Sequence, residues 1–243
     1  MYITTRAATA AILSVMTLFP VGAPSGLAAQ DATPAMTFTC ETAMASPMAG
    51  MEGMAMGTPA AEGGHDMAGE SVEFDQLYID MMLPHHAGII ALAQAAQEHL
   101  TDARLQAIAD AIITSQSAEN EELRGYREEW YGSPELMPMD EAMMGMMMEM
   151  MPSMGDMAEL QQQMDPPALV AAFCAGKDPD VTFIDLAIPH HEMAIAASEA
   201  ALEQATREEI RAVAERVIQA QQAEIDDLEV IRAELTGSGT PVA

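Results

Sequence analysis

Two adjacent histidine pairs, His85-His86 and His190-His191, are the residues of this chain best equipped for chemistry. Each pair follows a proline inside an apolar phrase, "YIDMMLPHHAGIIA" at 78–91 and "FIDLAIPHHEMAIA" at 183–196. Downstream of each stands a glutamine and a glutamate three residues apart, Gln116 with Glu119 and Gln221 with Glu224. Imidazole, carboxylate and thioether together suit a transition metal, and thioether softness points to copper, Cu(I) above all. The bland alternative is a polar network in which His, Gln and Glu satisfy one another. The phrase lacks the E-x-x-H context of zinc peptidases. It also lacks the paired Glu-x-x-His of di-iron bundles. No nucleophile–base set or phosphate loop accompanies it, so no catalytic residue is assigned.

The elements that must position these groups are repeated. From Tyr78 to Phe183 is a step of 105, and the same step carries Asp80 onto Asp185, Thr101 onto Thr206, Gln116 onto Gln221 and Glu119 onto Glu224. Apolar residues recur at helical spacing in both copies, Tyr78, Met82, His85, Ile89 and Leu92 forming one such stripe. The pattern predicts a helical hairpin over 71–131, with helices from Phe74 to Glu98 and on to Trp130, and a second hairpin over 178–236. Thr101 and Thr206 are the expected N-caps, Glu209 completing a capping box. Pro84 and Pro189 either bend the helices from within or mark their starts; the unbroken stripe favours the first. One hairpin cannot cover its own stripe, so the fold class is all-α, a four-helix bundle of two hairpins. With the turns near residues 100 and 205, His85 falls level with Gln116, Met82 near Glu119 and His190 level with Gln221. A glutamate on that face wants a cation or a strong partner.

Composition narrows the partners. The formal charge is −29 and methionine reaches 24 residues. Such a charge disfavours nucleic acid and anionic membranes and favours cations. Met44, Met48, Met51, Met54, Met56 and His65 lie in a Gly- and Pro-rich segment, 30–70, that reads as a disordered tail able to bind metal by itself. The connector 132–177 carries a second methionine group, interrupted by Gly145, Pro152 and Gly155. Its methionines either pack over the bundle or bind metal as well. Arg6, an apolar run from Ala7 to Phe19 and small residues up to Ala28 and Ala29 form a secretory pattern over 1–29. Export to the periplasm or outside the cell is expected, without stable membrane insertion after cleavage. In such a compartment Cys40 and Cys174 could pair, although Cys40 beside the methionines could instead be a soft-metal ligand. Residues 237–243 are a short tail.

The two phrases resemble the hallmark of domain of unknown function 305, close to "FIDxMIPHHxxAI" followed by a Q-x-x-E segment, matched here by "QSAENEEL" and "QQAEIDDL". The resemblance covers both hairpins. It implies a ferritin-like four-helix bundle, usually exported, binding copper in a resistance or homeostasis role; a protein that sequesters or hands on the ion could have a copper-delivery or efflux protein as partner. It implies His85, His86, His190, His191, Met82 and Met193 as ligands, Glu119 and Glu224 in the second-helix acid position, and Asp80 and Asp185 in the first-helix one, with Gln116 and Gln221 supporting. Ala187 and Gly88 stand where each repeat loses one family methionine, so two equivalent copper sites are not assumed. A ferritin-like metal-dependent oxidase and a metal-free interaction module are the alternatives.

Overall fold

The structure is a computed structural model that describes residues 39–45 and 72–237. The secretory pattern and Met48, Met51, Met54, Met56 and His65 lie outside the described residues. The described chain is helical, in the order α1 (Cys40–Ala45), α2 (Phe74–Ala96), α3 (Ala103–Tyr131), α4 (Glu141–Met150), a 3-10 turn (Pro152–Met154), α5 (Met157–Gln163), α6 (Pro166–Ala175), α7 (Pro179–Gln204) and α8 (Glu208–Thr236). Hairpins α2–α3 and α7–α8 pack together through α2 and α7, while α6 lies along α2. No described helix is long and apolar enough to cross a membrane.

Pro84 and Pro189 are inside α2 and α7, which run on past them. Both helices are apolar on either side of the proline, so burial outweighs one lost backbone bond. The hairpin turns differ from the expected capping. Asp102, not Thr101, caps α3 by accepting from the Arg104 N–H, and Arg207 precedes α8 with no side-chain cap. The two threonines instead bind across the molecule. Asp180, at the start of α7, accepts from the Thr101 N–H at 2.7 Å and from its hydroxyl. Asp75, at the start of α2, accepts from the Thr206 N–H at 3.0 Å, from its hydroxyl and from the Arg207 N–H. Asp75 and Asp180 are themselves one repeat step apart and both buried. Each hairpin therefore closes the turn of the other, which sets α2 and α7 antiparallel and fixes their register.

Methionine fills one end of this bundle. Met143, Met147, Met151, Met154 and Met164 are buried in one cluster with Met81, Met82 and Met193. Gly145 does not interrupt α4, whereas Pro152 and Gly155 do end helical segments, Gly155 at φ 99°. The other end is aliphatic and aromatic, built from Ile89, Leu92, Leu105, Ile112, Phe173, Phe183 and Ile184 among others.

Cys40 and Cys174 form a disulfide with Cα atoms 5.4 Å apart, so Cys40 is no free thiolate ligand. It pins α1, a six-residue helix inside the segment expected to be disordered, onto α6. A helix that short does not hold its own shape in water. Reduction is expected to release α1 and lower stability, by at most roughly 5 kcal/mol on a chain-entropy reckoning for so long a loop. Calorimetry with and without reductant measures the shift in Tm.

Candidate metal centre

His85 and His190 meet where the two ends of the core join. Their ring centroids are 3.7 Å apart with an interplanar angle of 36°. Both are fully buried, as are His86 and His191. The rings within each pair lie 6.3 Å apart, centroid to centroid. The two copies of the phrase thus form a single layer of four imidazoles across the α2–α7 contact.

The outer rings face carboxylates of their own hairpins. His86 Nε2 lies 3.0 Å from Glu119 Oε2 and His191 Nε2 lies 2.9 Å from Glu224 Oε2. This differs from the expected levels by four residues, about one helical turn: Glu119 meets His86 rather than approaching Met82. Although these distances suit ion pairs, no ring N–H points well enough at its carboxylate to make a hydrogen bond. All eight ring nitrogens lack a hydrogen bond of normal geometry. The Gln163 carbonyl comes nearest to satisfying His190. The amide atoms Gln116 Oε1 and Nε2 and Gln221 Oε1 are also buried without partners. Burial, then the neighbouring imidazoles, hold His85 and His190 well below the usual histidine range. They are therefore neutral at physiological pH, the form in which imidazole binds metal.

The departures between the repeats acquire a geometric meaning here. Met82 precedes His85 by three positions and Met193 follows His190 by three, neighbours on a helix face. Because α2 and α7 are antiparallel, both steps lead toward the same end of the bundle, the methionine end. Ala187 and Gly88 occupy the equivalent positions on the other side, where α6 packs. A Cβ on Gly88 would stand 2.7 Å from the Gln163 carbonyl oxygen, 3.0 Å from Leu169 Cδ1 and 3.4 Å from His190 Nε2. Alanine normally gains ~1 kcal/mol over glycine within a helix. Here the nearest obstacle is backbone, so overpacking of ~1–3 kcal/mol opposes that gain. Gly88→Ala is expected to lower the urea midpoint and to shift the His190 imidazole resonances; an unchanged midpoint would show that α5 and α6 yield freely.

Asp80 and Asp185 do not join the imidazoles, which corrects the first-helix acid positions. Asp80 Oδ1 accepts from Arg127 Nε at 2.7 Å, and Oδ2 accepts from the Met137 N–H at 3.1 Å. Asp185 Oδ1 accepts from Arg232 Nε at 2.6 Å near the surface. Both ion pairs span 47 residues, so Arg127 and Arg232 are themselves repeat mates that residue types alone did not single out. The same step would have exposed Asp75 and Asp180. The Tyr78 hydroxyl and Ser198 Oγ, 2.9 Å apart across the two hairpins, had no such signal, since Ala93 stands at the serine's counterpart.

Among the described residues, no three His, Cys, Asp or Glu side chains come together as a metal-ligand set. An ion at the imidazole layer would need the thioethers to complete its shell. Orphaned buried nitrogens fit that role, because such atoms otherwise cost stability.

Fold and centre define a tandem-hairpin helical bundle with paired imidazoles at its internal two-fold. The sequence profile described as Domain of unknown function (DUF305) matches residues 26–124 and 75–232, and the chain belongs to that family. Solved structures share the fold. "CopM in the Cu(II)-bound form" is 25% identical, with 66% of this chain and 97% of that one covered and a TM-score of 0.51. "CopM in the Cu(I)-bound form" is 23% identical, with 66% and 96% covered and a TM-score of 0.52. A DUF305 fragment from Deinococcus radiodurans is 22% identical, with 68% and 98% covered and a TM-score of 0.51. No curated protein sequence matches the chain.

Proposed function

We propose that this protein binds copper in an exported compartment and sequesters the ion or hands it to a delivery or efflux partner, without catalysing a reaction. The observation that carries the reading is the close, buried pair His85 and His190, whose ring nitrogens make no hydrogen bond of normal geometry. Met82 and Met193 stand beside them at the methionine end of the core. Two neutral imidazoles and two thioethers form a soft donor set that suits Cu(I) and carries no charge to balance. His86 and His191, with Glu119 and Glu224, form the flanks, and Gln116 and Gln221 supply polar support. Similarity to a structure solved with Cu(II) bound supports copper as an ion this fold can hold. Export is supported by the N-terminal pattern and by the disulfide, a bond that persists in oxidising surroundings. The oxidase reading finds less support, because Asp80 and Asp185 are engaged by arginines. Metal analysis of protein isolated from its native compartment tests the proposal. Retained copper is expected; protein that arrives without metal and takes up no Cu(I) would overturn it.

A further inference from the structure

Among the described residues, the imidazole layer is covered on three sides by groups without charge. The methionine cluster lies toward one end of the bundle and the aliphatic and aromatic cluster toward the other. On the α2–α7 side the connector approaches, with the Gln163 carbonyl against Gly88 and His190. The fourth side is the seam between α3 and α8. These two helices touch far less than either touches its own hairpin mate. Two surface ion pairs bridge them, Arg104 with Glu234 and Arg216 with Glu122. The pairs make α3 and α8 antiparallel, and counting inward from either one sets Gln116 opposite Gln222, beside Gln221.

At that level both helices of the seam carry polar groups. Gln116, Asn120 and Gln221 are buried, and Gln116 Oε1, Asn120 Oδ1 and Gln221 Oε1 are oxygens without a donor. Glu119 and Glu224 reach from the same helices to His86 and His191 and keep 14% and 17% of their side chains in solvent. A cation that leaves water for an apolar layer loses its hydration, and carboxylates and unpaired oxygens along its way lower that cost. We propose that the copper ion enters and leaves between α3 and α8, passing from Glu119 to His86 and from Glu224 to His191. A further step of 6.3 Å between ring centroids then brings it to His85 and His190. Each step exchanges one ligand atom for the next, carboxylate oxygen for imidazole nitrogen, and the charge of the ion does not change. The Arg104–Glu234 and Arg216–Glu122 pairs clasp the seam on either side of the way in. The inference rests on the copper reading and gives the two carboxylates to passage rather than to the final shell.

Stopped-flow transfer of Cu(I) between a chromophoric chelator and the disulfide-intact full chain tests the route. It is run without oxygen and in both directions, at chelator concentrations where the protein limits the rate, so that the two rates also give the affinity. Glu119→Gln/Glu224→Gln keeps the shape and removes both charges. Its uptake and release are expected to slow together by about tenfold, the low end of what focused charge does to an on-rate, with the affinity held. Arg216→Ala opens one clasp and is expected to speed both directions by about two- to fivefold, again at unchanged affinity. An affinity that falls while uptake keeps its rate would make the glutamates ligands of the bound ion and overturn the route. Equal rates in all three proteins would overturn it as well. A parent protein that takes up no Cu(I) at all would instead overturn the copper reading.

Discussion

Asp80→Ala is expected to destabilise the protein by about 3–5 kcal/mol, because it strands the Arg127 guanidinium without its counter-charge. Arg127 has little escape: its side chain is 6% exposed and its remaining hydrogen bond goes to the Ser133 carbonyl. The variant also frees the Met137 amide and so loosens the chain that leaves α3. Asp185→Ala removes the same bond from a pair exposed on both sides, where water replaces the lost partner, and little change in stability follows. Urea unfolding of the two variants measures the contrast, the first showing a much lower midpoint. If Asp80→Ala kept the midpoint and lost copper binding instead, Asp80 would be a ligand after all and the assignment to Arg127 would fail.

The double variant His85→Leu/His190→Leu is expected to gain stability in the metal-free state and lose copper affinity. Each imidazole buries two nitrogens without hydrogen bonds, and an unsatisfied buried polar group costs about 1–3 kcal/mol. Leucine is of similar bulk and removes that cost, although ring centroids only 3.7 Å apart leave little slack and take back part of the gain. In a Cu(I) titration of the disulfide-intact protein against a competing chelator, affinity should fall by at least about a hundredfold, as befits loss of direct ligands where outer supporting partners alone cost 10–100-fold. Thermal unfolding of the two metal-free proteins reads the other half. A variant that is less stable than the parent without metal, yet binds copper as well, would make the imidazoles structural.

Legibility in the sequence followed the 105-residue step. Hairpins, prolines inside helices and the histidines as inward residues all come from apolar periodicity, which survives because burial dominates the local cost of proline. The step also held the Asp75–Asp180 and Arg127–Arg232 correspondences, yet their partners could not be found from it. Asp75 binds Thr206 and Asp180 binds Thr101, contacts between hairpins that depend on how the halves dock. Thr101 and Thr206 read as N-caps because threonine before a helix usually is one; a buried aspartate from the other half competes for them and wins. The meeting of Glu119 with His86 was missed by about one helical turn, since level-counting in a hairpin is sensitive to the width of its turn. Gly88 read as a lost methionine. Its reason, the approach of the Gln163 carbonyl, lies in a connector with no repeat mate.

The central claim is that both halves give one imidazole and one thioether to a single ion. Anomalous diffraction at the copper edge, from crystals of the disulfide-intact protein loaded with one equivalent of Cu(I), tests it most directly. The account predicts one strong peak between α2 and α7, within bonding distance of His85 and His190 on the side of Met82 and Met193. Copper found only along the N-terminal methionine segment, with nothing between His85 and His190, would contradict it.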